Sequence, residues 1–323
     1  MKKILFALCA VATLASCSNE EIVNFDKEAI AFDGAFVDNG TRATDNFTIK
    51  TDSLKDFAVW ATTQRRDSDV IVPILDSVVV SRTSTSTPWA YAEEYTQYWI
   101  PGNTYQFVAA KNYKGVTLTD GVPSEFTYDA ASQADLLYAA DTRVGMEAGA
   151  NAPVAFTFDH LLSKAYFTVD TNAMSGANAN YTYRITNVCI NNAVKEATYT
   201  VDGATWAGTA NYTAQDPLEF NNVKVGEKLA ADGVYTSDDA RLLIPASYTD
   251  LNITCTIETF YGESVIDVQP YEKTIAQEFV KGFVYNFVLA LKDPGQPIEF
   301  TVTRVNEWIP VGDENNETEI PAL

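Results

Sequence analysis

One histidine, His160, serves the whole chain of 323 residues. A histidine-rich metal site is therefore excluded, and a Ser-His-Asp triad would have to be built on that single ring. No Gly-x-Ser-x-Gly surrounds a serine and no Cys-x-x-Cys occurs, so neither a nucleophile elbow nor a paired-thiol motif is present. Cys9 and Cys17 stand at the extreme N-terminus, and only Cys189 and Cys255 remain for the body. They form either a disulfide or two buried thiols; a chain this long builds its core without a staple, which favours thiols. Basic residues are outnumbered, with 22 Lys plus Arg against 43 Asp plus Glu and a formal charge of -21. Such a field repels phosphate backbones and anionic membrane surfaces, which excludes nucleic acid as a partner. The many carboxylates leave a glycosidase pair open by counting alone, although a solvated acidic face is the commoner arrangement. The acidic run "GDENNETE", Gly312 to Glu319, lacks the central glycine of an EF-hand, and neither metal nor cofactor is expected. Helical periodicity of useful length is almost missing as well.

What is present starts with Lys2 and Lys3, followed by an apolar run from Ile4 to Leu14. The run is too short to span a bilayer and has the build of an export signal, covering residues 1–16. It ends in Leu14-Ala15-Ser16-Cys17, the pattern of a bacterial lipobox, in which the cysteine thiol takes the lipid. An outer-membrane tether at Cys17 is the expectation; several acyl chains, at about 0.8 kcal/mol per buried methylene, hold more firmly than one.

Period-two alternation dominates the rest. Phe57, Val59 and Ala61 alternate with Ala58, Trp60 and Thr62; Tyr105, Phe107 and Ala109 repeat the pattern, as do Val154, Phe156 and Phe158. Further stretches are Ala165-Phe167-Val169, Ile253-Cys255-Ile257 and Phe283 to Leu291, and "DPGQP" then turns into a strand at Ile298 to Val302. The expected fold class is all-β, built of packed sandwiches. A short interruption at "DHLLSK", Asp159 to Lys164, marks the expected division into a first domain, 43–158, and a second, 159–323.

Upstream, "AIAFDGAF" puts Ile30, Phe32, Gly34 and Phe36 on one face of a strand and Ala31, Asp33 and Ala35 on the other. Arg42 follows, alone in the small and polar stretch "NGTRAT", as an accessible loop tip of the kind that processing proteases cut. Cleavage there removes the strand with the propeptide, 17–42. A sandwich stripped of one strand exposes an apolar groove and unpaired backbone, which invites a strand from another molecule.

In order along the chain stand the lipobox, "TRAT" at Thr41 to Thr44, "QYWIPGNTYQFVAA" at Gln97 to Ala110 and "FTFDHLLSKAYFTV" at Phe156 to Val169. "RITNVCINNA" at Arg184 to Ala193, "LLIPAS" at Leu242 to Ser247, "VKGFVYNFVLAL" at Val280 to Leu291 and "FTVTRVNEW" at Phe300 to Trp308 complete the series. Together they resemble the fimbrillins, the subunits of type V pili, and "SNEE" after Cys17 resembles the acidic export signal of lipoproteins in the Bacteroides lineage. The resemblance implies two transthyretin-like, Greek-key β-sandwich domains in tandem and a structural role without catalysis, with His160 in a structural motif. It also implies cleavage between Arg42 and Ala43 by an arginine-specific protease, release of the strand carrying Ile30, Phe32 and Phe36, and refilling of the groove by the C-terminal strand of another fimbrillin subunit.

The donor would come from the segment after Trp308, where Ile309, Val311, Ile320 and Leu323 are the apolar candidates. That tail is acidic through Asp313, Glu314, Glu317 and Glu319 and lacks a clean alternation, which leaves stalk, tip, accessory and anchor roles open. The surface fimbria would adhere to a host or bacterial surface ligand. The rival reading is a monomeric surface lipoprotein that stacks sugars on Trp89, Tyr91, Tyr95, Tyr98 and Trp99; core packing is the alternative use of those rings.

Overall fold

The computed structural model describes residues 27–37, 53–174, 180–220, 228–230, 233–237, 239–293 and 297–307. Regular structure among them is β-strand, apart from single 3-10 turns at Glu93–Tyr95 and Ala130–Ser132. Period-two patterning demands this outcome, because alternate side chains can then share one buried face.

The first sheet has the spatial order β1 (Phe36–Val37), β8 (Thr157–His160), β7 (Leu137–Val144), β4 (Thr104–Lys111), β2 (Asp56–Gln64), β3 (Ile71–Ser81). A second runs β13 (Leu218–Glu219), β10 (Tyr181–Asn191), β16 (Ser247–Tyr261), β17 (Ser264–Glu278). The third runs β14 (Val234–Thr236), β9 (Ser163–Ala173), β18 (Phe283–Lys292), β19 (Glu299–Glu307), with β15 (Arg241–Leu243) also on β9. In the fourth the order is β12 (Thr205–Asn211), β11 (Val194–Thr200), β6 (Val122–Asp129), β5 (Gly115–Thr119). The β1–β8 and β9–β18 pairs are parallel; the other strand pairs described are antiparallel.

Alternation lands where the sequence puts it. Phe57, Val59 and Ala61 of β2 meet Tyr105, Phe107 and Ala109 of β4 and Phe156 and Phe158 in one core. Ala165, Phe167 and Val169, Ile253, Cys255 and Ile257, and Tyr285, Phe287, Leu289 and Leu291 meet in a second. The opposite face of the first sheet is buried too: Trp60, Val108 and Ala110 belong to the second core, together with Phe126 and Tyr128 of β6 and Tyr199 of β11. The fourth sheet supplies that cover, and it takes β5 and β6 from before Asp159 and β11 and β12 from after it. Backbone pairing of Glu196 to Thr200 with Asp129 to Glu125 therefore ties the two halves of the chain together.

The interruption at "DHLLSK" is the break between β8 and β9, where Leu161 and Leu162 are fully buried. The expected division after Phe158 falls inside β8. β19 begins at Glu299 and continues to Glu307, past the expected end at Val302.

Trp60 joins the first and fourth sheets, its ring 5.5 Å from Tyr113 and 6.2 Å from Phe126, edge to face. Trp60→Ala should lower unfolding free energy by about 3–5 kcal/mol in urea titrations, whereas Val79→Ala, at an exposed position of β3, should stay within about 0.5 kcal/mol. Equal losses at the two sites would refute this account of the inter-sheet contact.

Candidate functional site

Residues 27–37 lie in a groove between two stretches of the N-terminal half, and the backbone is bonded on both sides. The Ile30 N–H donates to the Gln97 carbonyl at 2.8 Å, and the Trp99 N–H donates to the Glu28 carbonyl at 2.9 Å. On the other side the Val154 N–H donates to the Ala31 carbonyl at 2.8 Å and the Asp33 N–H to the Val154 carbonyl at 2.9 Å. Phe36 and Val37 then pair in parallel with Thr157 and Phe158. The segment thus crosses from one neighbour to the other as it runs, and most of its length forms isolated bridges at Ala29 and Phe32 in place of the continuous strand expected.

Ile30 is 1% exposed and Phe32 is 4% exposed. The Phe32 ring meets Tyr91 at 5.5 Å, Phe107 at 6.3 Å and Phe156 at 6.0 Å. Burying two side chains of this size is worth about 1.5–3 kcal/mol each. The expected facing breaks at Gly34: its φ of +64° is the left-handed conformation that glycine adopts freely, and the next residue, Ala35, turns inward and is buried, not outward as the alternation implied. Phe36 is placed by its pairing with Thr157; its side chain lies outside the described residues.

Polar contacts fix the register. The Tyr91 hydroxyl donates to the Ile30 carbonyl at 2.7 Å, and burial pushes its pKa above the ordinary phenol range. One carboxylate oxygen of Glu28 accepts from the Asn151 Nδ2 at 2.7 Å, the Gly149 N–H at 3.0 Å and the Asn151 N–H at 3.4 Å. The Asn151 side-chain bond, reinforced by the two backbone donors, holds the Glu28 pKa below its ordinary value. Lys27 sits over the Tyr98 ring, 5.6 Å from its centre. The loops that frame the entry approach closely at Gly145, where a Cβ would stand 2.4 Å from the Ile100 carbonyl oxygen. Neither the Glu28 clamp nor the Tyr91 bond has a sequence signal: Glu28 is one acid among many, and its partners lie 121 and 123 residues away.

Of the other residues singled out from sequence, Cys17, Arg42, Ala43, Ile309, Val311, Ile320 and Leu323 lie outside the described residues. The aromatic group divides. Trp89 and Trp99 are each 7% exposed and spend their faces on Phe57 at 4.8 Å and Tyr105 at 4.7 Å, whereas Tyr95 and Tyr98 are 47% and 43% exposed. His160 is buried, its Nδ1 3.0 and 2.8 Å from the two oxygens of buried Asp135, a structural contact beneath the surface. Cys189 and Cys255 are free buried thiols; burial raises both pKa values, that of Cys255 to about 12. Among the described residues no group of three His, Cys, Asp or Glu side chains is placed to hold a metal ion.

An all-β body whose groove is filled by its own N-terminal segment defines a strand-complemented β-sandwich protein. A family model described as fimbrillin-like matches residues 41–308, and the chain belongs to that family. A fimbrial protein from Bacteroides vulgatus superposes with a TM-score of 0.60, covering 88% of this chain and 100% of that one at 15% identity. A candidate cell adhesion protein from Bacteroides uniformis gives 0.50 over 87% and 99% at 21% identity. A similar one from Bacteroides ovatus gives 0.51 over 88% and 98% at 16% identity. At these identities the likeness is one of fold. No curated protein matches the chain.

Phe32→Ala should ease opening of the segment by about 3 kcal/mol, seen as faster hydrogen exchange at the Ile30 and Asp33 amides; unchanged exchange would mean that the ring does not hold the segment. Glu28 has a lowered folded pKa, so its contribution is complete above the ordinary value of 4.5 and fades as pH falls through the folded value. Acidification should therefore loosen the segment in the native chain, and Glu28→Gln should abolish that pH dependence. A thiol reagent should leave Cys189 and Cys255 unmodified in the native protein and label both in denaturant; fast native labelling would contradict their burial.

Proposed function

We propose that this protein is a structural subunit of a cell-surface fimbria of the type V class, contributing to adhesion. On this reading it is exported as a lipoprotein precursor, held at the outer membrane by acylated Cys17, and cut between Arg42 and Ala43 by an arginine-specific protease. The body from residue 43 to residue 323, whose halves are joined through β6 and β11, remains after the cut. The groove left by residues 27–37 takes a C-terminal strand from another fimbrillin subunit. The observation that carries the reading is the seating of this segment: buried at Ile30 and Phe32 and bonded on both sides, yet joined to the body only through the chain that contains Arg42. Family membership supports it independently.

The acidic tail, which lacks a clean alternation, leaves a tip, accessory or anchor position as a second reading beside a repeating stalk unit. The glycan-binding alternative has less support, because Trp89 and Trp99 are used in packing.

The deciding experiment is the intact mass of protein taken from the cell surface, beside an Arg42→Ala variant. Maturation should give a chain beginning at Ala43, and the variant should accumulate as a folded precursor monomer without polymer ladders on gels. A wild-type chain beginning at acylated Cys17, or ladders that persist in the variant, would overturn cleavage as the assembly switch.

A further inference from the structure

We propose that the groove recognises a short pattern, Glu-x-Ile-x-apolar, and that residues 307–311 of a second copy of this chain are the strand that carries it. This rests on the strand-exchange reading above and assigns it a register.

The pattern is read from the seated segment. Glu28 is clamped by Gly149 and Asn151, Ile30 and Phe32 fill the apolar floor, and Ala29 and Ala31 between them are exposed. Glu-x-Ile followed at the next alternate position by an apolar residue occurs at two places in the sequence, Glu28-Ala29-Ile30-Ala31-Phe32 and Glu307-Trp308-Ile309-Pro310-Val311. The second begins at the last residue of β19, opposite Phe283, where the chain leaves the described fold.

Position by position, the second copy meets the groove's demands. Trp308 falls where Ala29 faces solvent, so its bulk is accommodated. Pro310 falls where Ala31 stands: the carbonyl there accepts from Val154, and the Ala31 N–H has no partner among the described residues, so a residue without an N–H loses nothing. Gly312 falls at Asp33, whose N–H donates to Val154, and glycine keeps that donor. The correspondence stops there, since Glu314 would fall at buried Ala35. The alternative register at the end of the chain fits poorly. With Ile320 at the Ile30 position, Thr318 replaces the clamped carboxylate and Ala322 the Phe32 ring, while Leu323, three residues on, faces the other way.

The pattern can be tested inside the intact chain. A graft carrying Ala29→Trp, Ala31→Pro, Phe32→Val and Asp33→Gly should keep the Trp99 and Val154 amides protected within about tenfold of wild type. A graft of the 318–323 sequence (Glu28→Thr, Ala29→Glu, Ala31→Pro, Phe32→Ala, Asp33→Leu) should lose about a hundredfold or more. Protection at β4 reports whether the body stays folded. Equal loss in the two grafts, or unfolding of both, overturns the pattern. In assembled material Ile309→Asp should stop a subunit from donating while Ile320→Asp does not, and the opposite order overturns the register. If surface protein is never cut and no polymer forms, the strand-exchange reading fails and with it the identity of the donor; the grafts still decide the recognition pattern by themselves.

Discussion

Buried backbone must find hydrogen-bond partners, and in the N-terminal half this constraint is met by a segment from outside the sandwich body. Gln97 to Trp99 and Val154 to Phe158 are joined through Glu28 to Val37. Each unpaired donor or acceptor buried there would cost on the order of 1–3 kcal/mol. The apolar floor adds to this, since Tyr91, Phe107 and Phe156 close around Phe32. A groove with two backbone edges and an aromatic floor is intolerant of vacancy, yet its demands are generic to an extended peptide with apolar residues at alternate positions. Residues 27–37 meet those demands through the bonds of Glu28, Ile30, Ala31 and Asp33.

The body around the groove has support of its own. The first sheet is covered on its second face by Trp60, Val108 and Ala110 packing against Phe126 and Tyr128. The fourth sheet binds the two halves through β6 and β11, and the buried His160–Asp135 contact lies at the end of β8 beside the break into β9. Ile30 and Phe32 belong to the smaller core on one face of the first sheet, separate from the larger core on its other face. A second edge, β17, is exposed along most of its length with Val265, Ile266 and Val268 outward. Pro270 and Lys273 within that strand oppose further pairing, as edges that must remain single commonly do.

The all-β class and the strands around Phe57, Phe107, Phe167, Ile253 and Phe287 were legible in the sequence, because a two-residue period has one physical meaning when alternate residues are bulky and apolar. So was the seating of Ile30 and Phe32 as a strand-like unit upstream of Arg42. The reversal at Gly34 was not: alternation assumes an extended backbone, and a glycine at positive φ shifts the phase without changing the composition. The sequence also marked an interruption at Asp159 to Lys164 but gave no sign that β11 would return to pair with β6, because register between distant strands is chosen by packing.

By itself the sequence determined a β-rich, acidic chain with a single histidine and an N-terminal segment patterned for burial. Only the tertiary structure decided what that segment is buried against and what holds it. Glu28 acquires meaning from the amides of Gly149 and Asn151, and the Ile30 carbonyl from the Tyr91 hydroxyl. Such partners are separated by scores of residues in the chain, and a one-dimensional pattern records which residues prefer burial but not which ones meet.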